Sequence, residues 1–363
     1  MSNQKPVVVA LPLDHQTDEM LATALDFGQR LECPFVVVHA IGKRRMESEP
    51  GIAGRIAKAK QTLGLRLQPL WNAKLDVREE VAVGTPAELT INTALRLGAQ
   101  LIITGGGRPA TIRRWLVGSA VEAIVHRAVV PVWVVRGELQ HALINRQPVL
   151  CPINLNSPSE LGLASAARMA RLFKVPLRVM TVLPDSSSGE KGPLVEDARR
   201  DLEKMIAQHA GGKDGLVDVA IEVVTGSSPA ERIIDAADDA GMLVIGSRGF
   251  NPLIPKSLDP VTARALRHSQ CSILAVREVS VDLESNEAEI TRLADVCRTT
   301  WKLIEDNRAA EALPLIEPAA QRAPLNARIQ EIYSIVLEKV GREVEARSRH
   351  ELAQMIRTRI DRS

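Results

Sequence analysis

Short runs of β-branched apolar residues alternate with amphipathic segments along the first 280 positions of the chain. The first run, VVVALP at 7–12, is typical of a buried strand. After it, residues 18–31 carry apolar side chains at helical spacing. Buried strands that alternate with amphipathic helices predict βαβ crossovers, and therefore a parallel sheet covered by helices on both faces.

The same series of runs occurs twice. The two copies pair 7–12 with 149–154, 34–41 with 176–183, 77–89 with 219–233, 101–107 with 243–249 and 131–136 with 272–277. Gly105 and Gly246 are 141 residues apart, as are Arg136 and Arg277. This self-similarity predicts two tandem α/β domains of about five strands each. The boundaries that follow are 1–140 for the first domain, 145–280 for the second and 137–147 for the linker.

Three helix starts carry the sequence Ser/Thr-Pro-x-Glu, beginning at Thr85, Ser157 and Ser228. In such a capping box the hydroxyl accepts a hydrogen bond from a free backbone N–H, and the Glu side chain reaches back. Proline suits the first helical position because its missing N–H would have no partner there. Each box stabilises its helix by about 1 kcal/mol, so we interpret all three as structural devices.

From about residue 281 to 363 the strand runs stop and the apolar period is helical. A second repeat, of 34 residues, pairs Leu303 with Leu337, Asn307 with Gly341, Glu311 with Glu345, Ala312 with Ala346 and Ala319 with Ala353. Pro324 follows, where a helix pair should turn. This spacing resembles the tetratricopeptide repeat, a stacked helix-turn-helix unit. A plain bundle of three or four helices is the alternative.

Composition excludes several classes of partner. Hydrophobic residues make up 45% of the 363 positions and charged residues 25%, the mix of a soluble globular protein. Lys and Arg total 46 against 44 Asp and Glu, so a net charge of +2 gives no general attraction for nucleic acid or an anionic membrane. No run approaches about 18 apolar residues and no secretory leader is recognisable, so we expect a cytoplasmic protein that binds neither nucleic acid nor membrane.

Residues suited to catalysis are scattered. The four cysteines (Cys33, Cys151, Cys271 and Cys297) form no metal-binding spacing, and we expect them to be small buried hydrophobes in a reducing compartment. The seven histidines are dispersed, and no Ser-His-Asp, Cys-His or paired-carboxylate arrangement stands out. The sequence therefore predicts no metal site and no enzyme.

Glycine-rich segments follow the fourth strand run of each copy. These are Gly105-Gly106-Gly107-Arg108 in the first copy and Gly246-Ser247-Arg248-Gly249 in the second, and Gly118-Ser119 begins the next helical run of the first copy. Ligands of parallel α/β sheets bind beyond the carboxyl ends of the strands. A glycine turn there lets backbone N–H groups face a phosphate at a helix N-terminus.

The doubled strand order, the Gly-Ser-Arg-Gly segment and the endings PVWVVR and SILAVR resemble the universal stress protein family over roughly residues 5–280. The resemblance implies two tandem five-stranded parallel-sheet domains of the Rossmann-like, adenine nucleotide alpha hydrolase-like type. It also implies that the fifth strands pair between domains. The helical period of residues 281–363 adds an all-α C-terminal region to this fold. In the family's nucleotide-binding branch the base lies against the second strand, an Asp ending the first strand lies near the ribose, and Gly-x2-Gly-x9-Gly-Ser/Thr holds the phosphates.

The first copy departs from this pattern in two places. Pro12 stands where the Asp would be and can accept no ribose hydrogen bond through a side chain. Arg108 replaces the second glycine, which adds a cation and also bulk where the backbone must approach the ligand. Gly118 and Ser119 match the end of the pattern.

The second copy keeps the first part of the nucleotide-binding pattern and loses its end. Asn154 replaces the Asp, and Gly246 and Gly249 are both present. Asp259 and Pro260 then stand in place of Gly-Ser, which puts a carboxylate near a phosphate and removes an N–H donor. We therefore expect weak or absent ATP binding, with adenosine or a diphosphate tolerated better in the second copy.

The candidate nucleotide-binding residues are Asn154, Val182, Gly246, Ser247, Arg248 and Gly249 in the second copy, and Ala40, Gly105, Arg108, Gly118 and Ser119 in the first. We predict a non-enzymatic stress-response module that binds ATP or another adenine nucleotide weakly and recognises other proteins through residues 281–363. Two alternatives stay open: a scaffold with two degenerate pockets, and a slow nucleotide hydrolase that uses Asp259. The sequence also leaves open a homodimer.

Overall fold

A computed structural model describes residues 4–14, 16–42, 48–111, 114–116, 118–136, 145–155, 160–185, 191–210, 218–250, 260–279, 283–322 and 326–360. Side chains are not described at 108–111, 114–116, 191, 247–250, 277–279, 283–292, 294, 322 and 355–360. The chain divides into two compact units, of which the first holds both α/β repeats and the second holds the C-terminal helices.

The described strands are β1 Val7–Ala10, β2 Phe35–Ile41, β3 Val77–Val83, β4 Leu101–Gly105, β5 Arg108–Thr111, β6 Arg114–Leu116, β7 Val132–Val135, β8 Val149–Pro152, β9 Leu177–Leu183, β10 Val219–Thr225, β11 Met242–Phe250 and β12 Ser272–Val279. The described helices are α1 Thr17–Leu31, α2 Glu49–Asn72, α3 Pro86–Leu97, α4 Ser119–Arg127, α5 Glu160–Phe173, α6 Lys191–His209, α7 Pro229–Ala237, α8 Pro260–His268, α9 Leu283–Glu305, α10 Ala309–Arg322, α11 Ala327–Lys339 and α12 Glu343–Ile360.

Ten of the strands form one sheet in the order β3-β2-β1-β4-β7-β12-β11-β8-β9-β10. Each repeat therefore has the same strand order, as the doubled pattern predicts. The fifth strands β7 and β12 pair antiparallel, with Trp133 opposite Leu274. This pairing confirms the arrangement that the family resemblance implies. It also removes the two sheet edges that separate repeats would expose to solvent.

Alternation along the strands divides the core between the two faces of the sheet. Val7 and Val9 pack into one cluster, and Val8 and Ala10 into the other. On the first face Trp133 lies edge-to-face with Phe27 of α1 and with Phe173 of α5, at centroid distances of 5.4 and 5.9 Å. Since Phe173 belongs to the second repeat, this aromatic contact joins the cores of the two repeats.

The predicted capping boxes have different outcomes. The Thr85 Oγ1 accepts a hydrogen bond from the Glu88 N–H at 3.3 Å, which confirms the first box. The prediction of a capping box at Ser228 is wrong, because the Ser228 hydroxyl makes no capping hydrogen bond. Glu231 instead forms an ion pair with Arg264 at 3.0 Å. Ser157 lies outside the described residues.

The glycine segments also differ from prediction. β11 runs through Gly246, Ser247, Arg248 and Gly249 to Phe250, so the predicted turn of the second repeat is extended strand. Glycine permits a turn without requiring one, and the flanking apolar residues favour a strand. In the first repeat β4 ends at Gly105 as predicted, but the segment after Gly107 forms the two-stranded hairpin β5–β6.

The described elements of the second unit between residues 283 and 360 are all helices. Helices α9 to α12 pack as successive neighbours around one apolar cluster. The four alanines at the repeated positions, Ala312, Ala319, Ala346 and Ala353, are all buried. No described helix of the chain is long and apolar enough to cross a membrane.

Candidate functional site

A cavity of about 710 Å³ opens in the first repeat at the carboxyl ends of β1, β2 and β4. Its wall combines the segment after β1, the end of β2, the start of α3, the glycine turn after β4 and the first turns of α4. Small-molecule sites in open parallel sheets lie at this edge. The volume lies within the range of about 300–1,000 Å³ that is common for ligand pockets.

The cavity is mostly apolar, with a few polar groups near the strand ends. Val38, Val121 and Ile124 supply apolar wall. His39 lies at the end of β2, and its Nδ1 is 2.9 Å from the carbonyl oxygen of Leu11. That contact orients the imidazole ring from the neighbouring strand end.

The segment between β1 and α1 is ordered by its own hydrogen bonds. Thr17 Oγ1 donates to the Pro12 carbonyl oxygen at 2.5 Å and accepts from the Asp14 N–H at 3.0 Å. One Asp14 carboxylate oxygen accepts from the Gln16 N–H at 2.9 Å. Asp14 is nonetheless exposed and lines the cavity, so a carboxylate is present two positions beyond Pro12.

Gln16 connects the start of α1 to the glycine turn. Its Nε2 donates to the Gly107 carbonyl oxygen, and Gly107 has a φ of +89°, a conformation that favours glycine. A Cβ placed on Gly105 would lie 2.7 Å from Gln16 Oε1. A side chain at position 105 would therefore displace the amide that holds the turn.

Arg136 lies behind the same turn and is 3% exposed. Burial lowers the pKa of its guanidinium to about 10, and this effect is opposed by the charge interaction with Cys271. Burial in turn raises the pKa of the Cys271 thiol to about 11 and that of Cys151 to about 12. All four cysteines are buried, as expected, and none lines the cavity.

The structure brings together part of the predicted first-repeat set. Ala40, Gly105 and Gly118 line the cavity. Ser119 is exposed at the first position of α4, next to the lining residue Gly118 but outside the wall. Arg108 lies in β5 opposite Leu116, and its side chain is outside the described part of the structure.

The second-repeat candidates are placed differently. Asn154 is exposed after β8, and Val182 lies half-buried in β9. Gly246 lies in β11 together with Ser247, Arg248 and Gly249, whose side chains are not described. Asp259 lies outside the described residues. The expected preference for ligand in the second repeat is not tested by these positions, and the cavity described above lies in the first repeat.

Asp14, Gln16, His39 and Thr104 line the cavity but were not candidates. Asp14, His39 and Thr104 lie at or just beyond strand ends, so the rule that ligands bind at carboxyl edges points to them. Gln16 carries no such signal, because its partner Gly107 is 91 residues away. Among the described residues there is no group of three His, Cys, Asp or Glu side chains that could hold a metal ion.

Comparison with known proteins agrees with the repeat architecture. The model of the universal stress protein family matches residues 4–136 and 145–277. A universal stress protein of Mycolicibacterium smegmatis is 27% identical over 206 residues, which cover 56% of this chain and 69% of the relative. One of Mycobacterium tuberculosis is 26% identical over 236 residues, covering 62% of this chain and 76% of the relative.

A solved universal stress protein of Archaeoglobus fulgidus has the same fold. It superposes with a TM-score of 0.60 at 17% identity, covering 75% of this chain and 98% of that protein. At this identity the match shows the fold alone. The second family match ends at residue 277, so helices α9 to α12 lie beyond it.

Proposed function

Because this chain belongs to the universal stress protein family, we propose that it is a non-enzymatic stress-response module whose first repeat binds an adenine nucleoside or nucleotide. The observation that carries the proposal is the cavity of about 710 Å³ at the carboxyl ends of β1, β2 and β4. It is large enough for a nucleoside, and it lies where a parallel sheet presents ligands to its strand ends and helix N-termini.

The residues that line the cavity are suited to binding a base and a ribose. Val38 and Ala40 at the end of β2 offer an apolar surface for the base. Asp14 offers the carboxylate that Pro12 cannot, since it is exposed to the cavity from the neighbouring turn. A carboxylate there can accept a hydrogen bond from a ribose hydroxyl.

The opposite wall supports only a modest phosphate site. Gly118 is the N-cap of α4, and its side-chain position is open, with no atom within 4 Å of an added Cβ. The free N–H groups of a helix N-terminus favour an anion. The Asp14 carboxylate in the same cavity repels one. We therefore expect adenosine or a monophosphate to bind better than ATP, whose Kd should be weaker than about 1 μM, or −8 kcal/mol.

The C-terminal helices are assigned to protein recognition in the same proposal. Their repeated positions carry repeated contacts: Arg308 donates twice to Glu311 at 2.8 and 2.6 Å, and Arg342 donates twice to Glu345 at 3.1 and 2.5 Å. Such periodic helix pairs support a tetratricopeptide-like stack, whose surface is suited to protein partners. The module would act in the cytoplasm, without nucleic acid or membrane as partner.

Calorimetric titration of the full chain with adenosine, AMP, ADP and ATP tests the nucleotide site. Gly118→Val fills open space at the cavity wall and should weaken adenosine binding at least about tenfold, or 1.4 kcal/mol. Gly54→Val is the matched control, because position 54 is equally open and lies outside the cavity. It should bind like the parent.

Three results would contradict the proposal. The first is a parent protein that binds none of the four compounds. The second is adenosine binding that survives Gly118→Val but is lost in Gly246→Val, which would assign the site to the second repeat. The third is steady conversion of ATP to ADP by the parent but not by Gly118→Val, which would indicate a hydrolase.

A further inference from the structure

The buried Arg136 side chain belongs to the first repeat but donates mainly to the second. Its Nη1 lies 2.7 Å from the Ser269 carbonyl oxygen and 3.4 Å from that of Ala265, and its Nη2 donates to the Leu266 carbonyl oxygen. These carbonyl groups belong to the last turn of α8 and to the residue that follows it. A helix C-terminus carries free carbonyls and a partial negative charge, so it stabilises a cation.

The same guanidinium also reaches the glycine turn of the cavity. Its Nη2 is 3.4 Å from the Gly106 carbonyl oxygen. A Cβ added to Gly106 would lie 2.5 Å from Arg136 Cγ and 2.9 Å from the Val135 carbonyl oxygen. Arg136 therefore packs directly against the turn, while Gln16 holds the neighbouring Gly107 carbonyl from α1.

The backbone of Arg136 is tied to the second repeat as well. The Arg136 N–H donates to Ser272 Oγ at 3.0 Å, and that hydroxyl donates to the Arg136 carbonyl oxygen at 3.1 Å. Ser272 is the first residue of β12, and Arg136 follows β7. A buried cation needs several hydrogen bonds of this kind, because without them it would carry the full cost of its desolvation.

We propose that Arg136 is a positioning residue that couples the glycine turn of the first-repeat cavity to the C-terminal turn of helix α8 in the second repeat. A ligand that orders the turn would thereby stabilise α8. The ligand half of this inference rests on the proposed function, whereas the positioning half can be tested without any ligand.

Hydrogen exchange of the ligand-free full chain tests the positioning half. Arg136→Lys keeps the charge but loses the fork that spans α8 and the turn. Exchange in the peptide 101–107 should rise at least about tenfold, as expected for the loss of a charge-assisted hydrogen bond. Arg171→Lys is the matched control, because Arg171 Nη1 also donates to a carbonyl just beyond a helix, that of Ala210 at 2.7 Å, within one repeat.

Ser272→Ala keeps the test decisive if Arg136→Lys folds poorly. It removes only the hydroxyl that ties the Arg136 backbone, and it should raise exchange at 101–107 to a smaller extent. Unchanged exchange at 101–107 in the folded variants, or equal acceleration by Arg171→Lys, would overturn the positioning role.

Adenosine at saturation tests the coupling. In the parent it should slow exchange in both 101–107 and 260–270, and in Arg136→Lys only in 101–107. Protection of 101–107 without 260–270 in the parent would overturn the coupling and leave the proposed function standing. Protection of 260–270 that persists in Arg136→Lys would also overturn it, since it indicates direct binding to the second repeat. No protection in either peptide of the parent, at an adenosine concentration that saturates the site by calorimetry, would overturn the coupling. The proposed function fails separately, if calorimetry shows that none of the four compounds binds.

Discussion

Asn307 and Gly341, 34 residues apart, both adopt a left-handed backbone conformation, with φ of 57° and 79°. The next residue in each case closes the same helix cap. Its N–H donates to the carbonyl oxygen five residues earlier, at 2.7 Å for Arg308 and 2.8 Å for Arg342. This is the Schellman arrangement, in which glycine is favoured because it has no Cβ. The 34-residue spacing in the sequence thus marks two helices that end alike.

Substitutions at these two caps should affect the stability of the C-terminal unit differently. Gly341→Ala should destabilise the C-terminal unit by about 1 kcal/mol, because a left-handed residue with a Cβ is strained. Asn307→Gly should be neutral or slightly stabilising, since it removes that strain. Hydrogen exchange of α9 to α12 measures both effects. A Gly341→Ala protein that exchanges like the parent would show that the cap is not required.

Overpacking tests the close crossing of the C-terminal helices. Ala346 is 7% exposed and lies in their apolar cluster, so Ala346→Trp should cost about 1–3 kcal/mol or more. We expect α9 to α12 to lose their protection against hydrogen exchange, while the ten-stranded sheet stays protected. Val344→Trp is the control, because Val344 is 84% exposed on the same helix. Similar melting of the two variants would argue against a packed crossing at 346.

Two glycine substitutions in the first unit should change its free energy of unfolding in opposite directions. Gly106→Ala should destabilise it by about 1–3 kcal/mol, because the added methyl group meets both Arg136 and the Val135 carbonyl oxygen. Gly54→Ala places its methyl group in open space on the exposed side of α2 and should stabilise by up to about 1 kcal/mol. Urea unfolding followed by circular dichroism compares them. A neutral Gly106→Ala would mean that Arg136 can move away from the turn.

Stability of the C-terminal unit should fall at alkaline pH because of Tyr333. Its hydroxyl donates to Glu317 Oε1 at 2.9 Å, and burial, followed by this hydrogen bond and the Glu317 charge, raises the pKa of the Tyr333 phenol. An unfolded tyrosine ionises near about pH 10. Above that pH the unfolded chain releases a proton that the folded chain retains, so the free energy of unfolding decreases as pH rises.

Urea midpoints between pH 8 and 11 measure this dependence. Tyr333→Phe should lose stability at pH 8, where the hydrogen bond is removed, but should show a shallower decline above about pH 10. Parallel declines in the parent and the variant would assign the alkaline sensitivity to other groups.

The architecture follows from the amino-acid sequence alone, because hydrophobic periodicity is a local property that each segment carries. Alternating apolar runs predicted ten strands in two equal series, and the sheet has that order twice. The 34-residue pairing predicted which alanines are buried between helices, and all four are. Thr85 lies within three residues of its capping partner, so its box could be predicted as well.

The contacts that hold the site arise in the folded chain and have no local signal in the sequence. Gln16 finds its partner Gly107 across 91 residues, and Arg136 finds Ser269 across 133. No local pattern encodes such partners, since they depend on how separate strands and helices are brought together. The same holds for the failures. Glu231 leaves its predicted box for Arg264, 33 residues away. The Gly246–Gly249 segment continues as strand because the apolar residues beside it favour an extended backbone, which outweighs the permission that glycine gives for a turn.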